Sequence, residues 1–540
     1  MAVLVLCATS LPARAQHSAE DILRGLATTG SDPQLRWPDF SDYRSDIAAF
    51  YDPAGYAPAW SRDGRPTAQA AQLIAILQDA ASKGLNPEDY DASRWASRTD
   101  ALAQAAQAAH FDLALTVAAM RYSSNLELGR IDPKHFKFKL SVKNAQVDLA
   151  QFVRQLAEGN DLAELLAQAE PPFPGYRRTL AALQHYMQLA HMPHADSRPL
   201  PVPAKTVAPG AEYPGTLALA QRLRLLGDLP ADAALPADEI YQGDVVEAVK
   251  HFQARHGLAT DGRLGAQTVK QINVPLSTRV EQLRLSLERW RWVPHEFPEP
   301  PLVVNIPEYR LRAFDANGTV ALSMNVIVGK AMRHETPVFD EDMRYVVFRP
   351  YWNVPPSIQR SEIVPAITRN RKYIAQKNYE VTTHNGQVIT SGPISDEVLE
   401  QLRAGKLAVR QKPGPSNSLG LVKLIFPNQF NVYLHSTPSQ QLFAQARRDF
   451  SHGCIRVEKP EELAAWVLRD KPEWTLEKVR AAMQSGRDNV QVNLTQPVPV
   501  LILYVTAVPA PDDSVLFFDD IYGMDADLEK ALAKGYPYPR

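Results

Sequence analysis

The sequence has little cysteine. Only Cys7 and Cys454 occur in 540 residues, which excludes a disulfide-stapled scaffold. It also lacks long apolar runs. Ala2 to Leu11 is mostly apolar but too short to cross a bilayer as a helix, and no later stretch reads as transmembrane. Neither charge sign dominates. The formal net charge is -2, so nothing marks the whole chain as a nucleic-acid binder. Several catalytic signatures are missing as well. There is no G-x-S-x-G and no S-x-x-K, which argues against a serine transpeptidase. His435, His452 and Cys454 are zinc ligands by residue type, but no second cysteine or HExxH pair accompanies them. No metal and no organic cofactor are expected.

What is present is a long chain of ordinary globular composition, 45% hydrophobic and 22% charged. Its length predicts about three or four domains. Proline is enriched, with 43 residues or roughly 8% against a usual ~5%, which favours fixed loops and stiff linkers. At the start, the short apolar run is followed by Ala13-Arg14-Ala15, a small-x-small pattern before Gln16. Residues 1–15 read as a signal peptide, although a positively charged leader is missing. Leu6 is too bulky for Cys7 to suit a lipid-anchor signal. If residues 1–15 are removed, Cys454 has no disulfide partner within the chain.

Residues 16–205 read as a helical domain. Leu73, Ile74, Ile76 and Leu77 recur at helical spacing, with Gly84 and Pro87 as stop signals, and Gly129 and Pro133 end a second apolar helix. His191 to Pro214 holds six prolines and reads as a stiff connector. Helical patterning resumes over residues 206–280, with Val245, Val249 and Phe252 on one face and a tight turn at Asp261-Gly262. A linking helix is expected over 281–300, with Trp290 and Trp292 packing between domains. From Pro301 the period changes to two. "PLVVNIPEY", "RLRAF" and "TVALSMNVIVG" read as strands, with a hairpin turn over Asp315–Gly318. This β-rich domain is expected to run to residue 482. Between about 357 and 417 the alternation lapses into helix, hairpin and helix, an insertion suited to a lid. Residues 483–540 read as strands and a helix packing on the scaffold.

The chemistry centres on "FNVYLHS" and "SHGCIRV". In a strand, Val432 and Leu434 would face the core, leaving Tyr433 and His435 pointing together the other way. His435 lies 19 residues before Cys454, enough for the chain to return on a neighbouring strand and set the thiol beside the ring. An imidazole there can take the thiol proton or hold the thiolate as an ion pair. A third group must fix its tautomer, and the Ser436 carbonyl or a hydroxyl can serve. Gly453 permits close approach to the main chain, and the Gly453 and Cys454 amides are candidates for an oxyanion hole. Arg456 shares the face of Cys454 and can hold a carboxylate or brace the loop. Taken singly, each residue has a plain structural reading: a satisfied core histidine, a small buried cysteine, a bracing arginine.

Together, His435, Ser436 and the run Ser451-His452-Gly453-Cys454-Ile455-Arg456-Val457 resemble the signature of L,D-transpeptidases with a YkuD-type catalytic domain. "VNIPEYRLRAF", "VIVGKAMRHETP" and "RPYWNVPPSI" support the resemblance. "AVKHFQARHGLATDGRLGAQT" resembles the small three-helix peptidoglycan-binding module, which in this setting is either a wall-binding unit or a helical spacer. The implied fold is multidomain α+β: a helical scaffold, a peptidoglycan-binding-like module, and a β-rich catalytic domain over 301–482 with a mixed capping insertion. The implied reaction is formation of direct diaminopimelate–diaminopimelate cross-links through a cysteine thioester, with release of D-Ala. Cys454 would be the nucleophile and His435 the base. Gly453 would contribute to the oxyanion hole. Tyr433, Ser436, Ser451, His452, Arg456 and, from the upstream strand end, Trp352 would line or shape the substrate site. The implied partners are a stem tetrapeptide donor, a diaminopimelate amine acceptor and other wall-synthesis proteins, in the periplasm, and carbapenem sensitivity is expected. Transfer to water, giving a carboxypeptidase or endopeptidase, or to a lipoprotein lysine remains open. So does a wall-binding protein without catalysis.

Overall fold

In the computed structural model, residues 18–100, 102–141, 148–192 and 199–539 are described. The expected signal peptide, with Cys7, and residues 193–198 of the proline-rich connector lie outside them. Among the described residues no helix is long and apolar enough to cross a membrane.

The scaffold is built around helix α1, Ala105–Leu128, which is buried on nearly every face. A helix surrounded by protein must satisfy its polar groups internally. Asp112 does so by accepting from the Tyr51 hydroxyl (2.9 Å) and from the backbone amides of Ala59 and Trp60 (2.9 and 2.8 Å). The second unit holds three helices, Thr216–Leu225, Asp244–Arg255 and Ala266–Ile272, with Val245, Val249 and Phe252 in their common core. At its tight turn the Gly262 amide donates to Gln253 Oε1 at 2.9 Å.

Helix α2, Leu276–Trp290, joins the parts. Its fully buried Glu288 accepts from Arg130 Nε (3.1 Å) and from the Ile131 amide (3.1 Å). Its Arg289 pairs with Asp525 of the C-terminal tail. Trp290 packs on Phe173, and Trp292 on Phe136 and Phe138. Both rings therefore lie where scaffold side chains meet the rest of the molecule.

Nine strands make the sheet of the β-rich domain: β1 Leu302–Asn305, β2 Arg310–Phe314, β3 Val320–Gly329, β4 Phe339–Phe348, β5 Val422–Ile425, β6 Leu434–His435, β7 Asp449–Ser451, β8 Ile455–Val457 and β9 Val490–Leu503. Their order is β7-β3-β8-β6-β5-β4-β9-β1-β2, and β2 also pairs with β3. That last pairing closes the sheet into a barrel, which removes two open edges. The Asp315–Gly318 turn joins β2 to β3, with the Gly318 amide donating to the Asp315 carbonyl at 3.0 Å. The barrel interior is filled by fully buried residues such as Val304, Leu311, Val326, Val346, Leu424, Leu434 and Ile455.

Two expected boundaries shift. The β-rich domain does not end at residue 482. β9 lies inside the sheet, antiparallel to β4 and parallel to β1, so only the chain beyond Leu503 is a tail on the scaffold. There the hairpin of Ala507–Pro509 and Val515–Phe517 sets Phe517 against Tyr186, and the Tyr538 hydroxyl donates to Asp89 at 2.6 Å. A strand's neighbours depend on distant pairing, which a local pattern does not report. The insertion also begins earlier than 357. Its own four-stranded sheet starts at Trp352–Asn353, and its own core includes Ile367, Ile374, Val381, Leu402 and Val409. Two residues beside prolines are too few to show a strand period.

Candidate active site

Strands β5, β6 and β8 set the site. Val422, Leu424, Leu434, Ile455 and Val457 point into the barrel and are fully buried. The alternate residues must therefore face outward. Lys423 pairs in register with His435, and His435 with Arg456, so the three form one row across the sheet. One step back along the register, Cys454 follows the same face beside Tyr433, where the Ile455 amide donates to the Tyr433 carbonyl at 3.1 Å. The Tyr433 and His435 rings meet at 5.7 Å in a tilted edge arrangement. Cys454 is a free, half-buried thiol.

His435 is 5% exposed. Its Nδ1–H donates to the Ser436 carbonyl at 2.6 Å. A carbonyl only accepts, so this bond fixes the proton on Nδ1 and leaves Nε2 with a free lone pair. Burial, then the charge of Arg456, push the ring's pKa down to about 3, with Lys423 adding to the effect and the Ser436 and Leu419 carbonyls opposing it. The ring is therefore neutral at physiological pH. Burial also raises the Cys454 thiol, against hydrogen bonds from the Tyr433 amide and phenol and the charges of Arg456 and Lys423. The resting pair is a neutral thiol and a neutral imidazole. The thiol points at the Asn431 carbonyl, Sγ to O 3.6 Å, so its proton is not yet shared with the ring.

The turn before the thiol is braced from within. Gly453 has φ +112, a region that glycine tolerates and other residues rarely adopt. Its amide donates to Ser451 Oγ at 3.1 Å, and that hydroxyl donates to the Cys454 carbonyl at 2.5 Å. Thr336 Oγ1 donates to the Gly453 carbonyl at 2.8 Å. Two expectations change here. The Gly453 amide is engaged within its own turn, because the Ser451 hydroxyl folds back over it. Ser451 is accordingly 3% exposed and holds the loop instead of lining a substrate surface. The Cys454 amide has no protein acceptor among the described residues and is the donor left for an oxyanion.

Three family models match the chain. Residues 45–183 match "Scaffold domain", residues 213–272 match "Putative peptidoglycan binding domain", and residues 300–493 match "L,D-transpeptidase catalytic domain". Residues 300–493 are thus similar to an L,D-transpeptidase catalytic domain. A curated Haemophilus influenzae protein named "Putative L,D-transpeptidase" is 30% identical over 279 residues, which is 51% of this chain and 55% of that protein. The chain thus spans about half the length of the curated relative it matches. A solved L,D-transpeptidase structure from Xylanimonas cellulosilytica shares 16% identity, covering 56% of this chain and all of that one, at a TM-score of 0.17. So low a score supports no inference.

The remaining expected site residues of this domain fall in different places. His452 leaves the row and reaches the cap, with Nε2 2.6 Å from Glu362 Oε1 and its ring 4.6 Å from that of His334. Ser436 is buried and orients His435 through its carbonyl. Trp352 sits in the cap sheet, paired with Gln411 and packed near Tyr379 at 6.2 Å, half-buried against the cap's own core. Three residues not singled out from sequence join the site: Lys423, Asn431 and Glu362. Alternation in "VKLI" already turns Lys423 away from the core. No local signal marks Asn431 or Glu362, whose places depend on distant packing.

Proposed function

We propose that this protein is a peptidoglycan L,D-transpeptidase that makes direct diaminopimelate–diaminopimelate cross-links through a thioester on Cys454. The observation that carries the reading is a neutral imidazole, its tautomer fixed by the Ser436 carbonyl, on the same sheet face as the chain's single described cysteine. A base must be unprotonated and a nucleophile deprotonated at the moment of attack. His435 Nε2 accepts the Cys454 proton as Sγ bonds to the carbonyl joining the L-centre of diaminopimelate to terminal D-Ala. The Cys454 amide faces the developing oxyanion. The C–N bond then breaks, the imidazolium returns its proton to the leaving amine, and D-Ala departs. In the second half, the side-chain amine of another stem peptide attacks the thioester carbon. His435 takes a proton from that amine, the C–S bond breaks, and the thiol is restored. No cofactor enters either half.

The peptidoglycan-binding match supports wall attachment by residues 213–272 and an envelope location. Peptidoglycan lies outside the cytoplasmic membrane, consistent with export to the periplasm and with wall-synthesis partners. Hydrolysis of the thioester, or transfer to a lipoprotein lysine, uses the same first half, and product identity decides between them.

Mass spectrometry of products from purified tetrapeptide muropeptides is the test. Wild-type protein is expected to release D-Ala and yield cross-linked dimers. Cys454→Ala is expected to lose D-Ala release by at least about a thousandfold while still sedimenting with peptidoglycan. A carbapenem is expected to add its mass to the wild-type protein only. Undiminished D-Ala release by the variant would remove the thioester mechanism.

A further inference from the structure

The register row that carries His435 also carries two cations. Lys423 lies on one side of the ring and Arg456 on the other. Adjacent strands are about 4.8 Å apart, so their backbones stand roughly 10 Å apart. Both side chains are half-buried. Neither has an ion pair or a side-chain hydrogen bond among the described residues, and Arg456 Nε is buried without any partner. Nearby arginines of the same domain are provided for: Arg447 is paired with Asp449, Arg349 with Asp488, and Arg310 with Ser323 and Asn325. Lys423 does hold one contact, its ammonium lying 5.9 Å from the centre of the Tyr433 ring. That contact turns the charge toward the thiol end of the row. Partly burying two unpaired cations is costly unless an anion completes them.

We infer that Lys423 and Arg456 together bind the free carboxylate of the leaving D-Ala residue, across the face of His435. This rests on the proposed function and adds to it the group that selects the donor. The scissile carbonyl must sit over Sγ of Cys454. The carboxylate of the residue being released lies one amino acid further along the peptide, and the row of cations lies one register step from the thiol. Charge and position agree. Once D-Ala leaves, its carboxylate goes with it and the cradle is emptied, so the same contact does not hold the incoming amine.

Two measurements test this, one of turnover and one of binding. Wild-type kcat/KM is compared for a tetrapeptide ending in D-Ala and for the same peptide with that carboxylate converted to the amide. A charge-assisted hydrogen bond of the usual strength predicts about a tenfold to hundredfold preference for the acid. Lys423→Met is expected to remove most of that preference by slowing the acid donor far more than the amide, and Lys423→Arg to restore it. Equal losses on acid and amide would overturn the inference, since they would place Lys423 in service of the thiol or of the fold. An unchanged preference in Lys423→Met would overturn it equally. The binding arm uses Cys454→Ala, titrated calorimetrically with the two peptides. There the acid is expected to bind more tightly, and Lys423→Met to abolish the difference. If wild-type protein turns over neither peptide but the binding preference and its loss are seen, the carboxylate site stands and the reaction assignment falls. If turnover proceeds with no acid preference in either arm, the reverse holds.

Discussion

Cys454 is expected to behave toward a small alkylating agent as a slow, ordinary thiol. A thiol with pKa near 8.5 is only about 3% ionised at pH 7, and burial raises this one further. The partner ring is held down to about 3. Moving the proton from sulfur to imidazole at rest thus spans at least roughly five pKa units, on the order of 7 kcal/mol. That gap disfavours a preformed thiolate–imidazolium pair. Proton transfer must instead accompany attack on substrate, when the new C–S bond removes charge from sulfur. The assay is the second-order rate of iodoacetamide alkylation from pH 5 to 10, followed by intact mass. The rate is expected to climb steadily with pH through pH 8.5, with no plateau at low pH. His435→Ala is expected to leave that curve in place, because the ring carries no charge at rest, while D-Ala release falls by about 10²–10⁴-fold through loss of the base. A low-pH plateau in the wild type that vanishes in His435→Ala would refute the reasoning.

The depressed His435 also sets an acid limit on stability. As pH falls below about 6.5 the unfolded chain takes up a proton at this residue that the folded chain refuses until about pH 3, so stability is lost across that window. At pH 4.5 the difference is about 3 kcal/mol. Thermal melts should show His435→Asn gaining on the wild type by about that amount between pH 7 and 4.5, and parallel curves would refute the shift. Thr336→Val tests the brace under the thiol. Thr336 is fully buried, donating to the Gly453 carbonyl and accepting from the Gly329 amide, both at 2.8 Å. Losing both partners should cost about 1–3 kcal/mol and slow D-Ala release. A variant as stable and as active as wild type would show that the turn holds itself.

What could be read from sequence was whatever period and local chemistry encode. The change of period at Pro301 marks the β-rich domain, and alternation in "FNVYLHS" puts Tyr433 and His435 on one face because Val432 and Leu434 need the core. The Ser436 carbonyl lies next to the ring in sequence, so its bond to Nδ1 is a local matter too. Hidden from view was everything that depends on which strand lies beside which. β9 is drawn from the end of the chain into the middle of the sheet, and nothing in its own residues names β1 and β4 as neighbours. The Gly453 amide looked free because a turn's internal hydrogen bonds depend on how a serine hydroxyl rotates. Lys423 is the instructive case. Its alternation turns it outward, but an outward lysine is normally a solvated one. Only the β5–β6 pairing, which sets it opposite His435, and the lack of any carboxylate partner among the described residues change its meaning from surface charge to ligand-seeking charge. Strand pairing therefore supplies the chemistry that composition and spacing leave out. It converts three residues far apart in sequence, a lysine, a histidine and an arginine, into one row with a neutral imidazole at its centre and positive charge on both flanks.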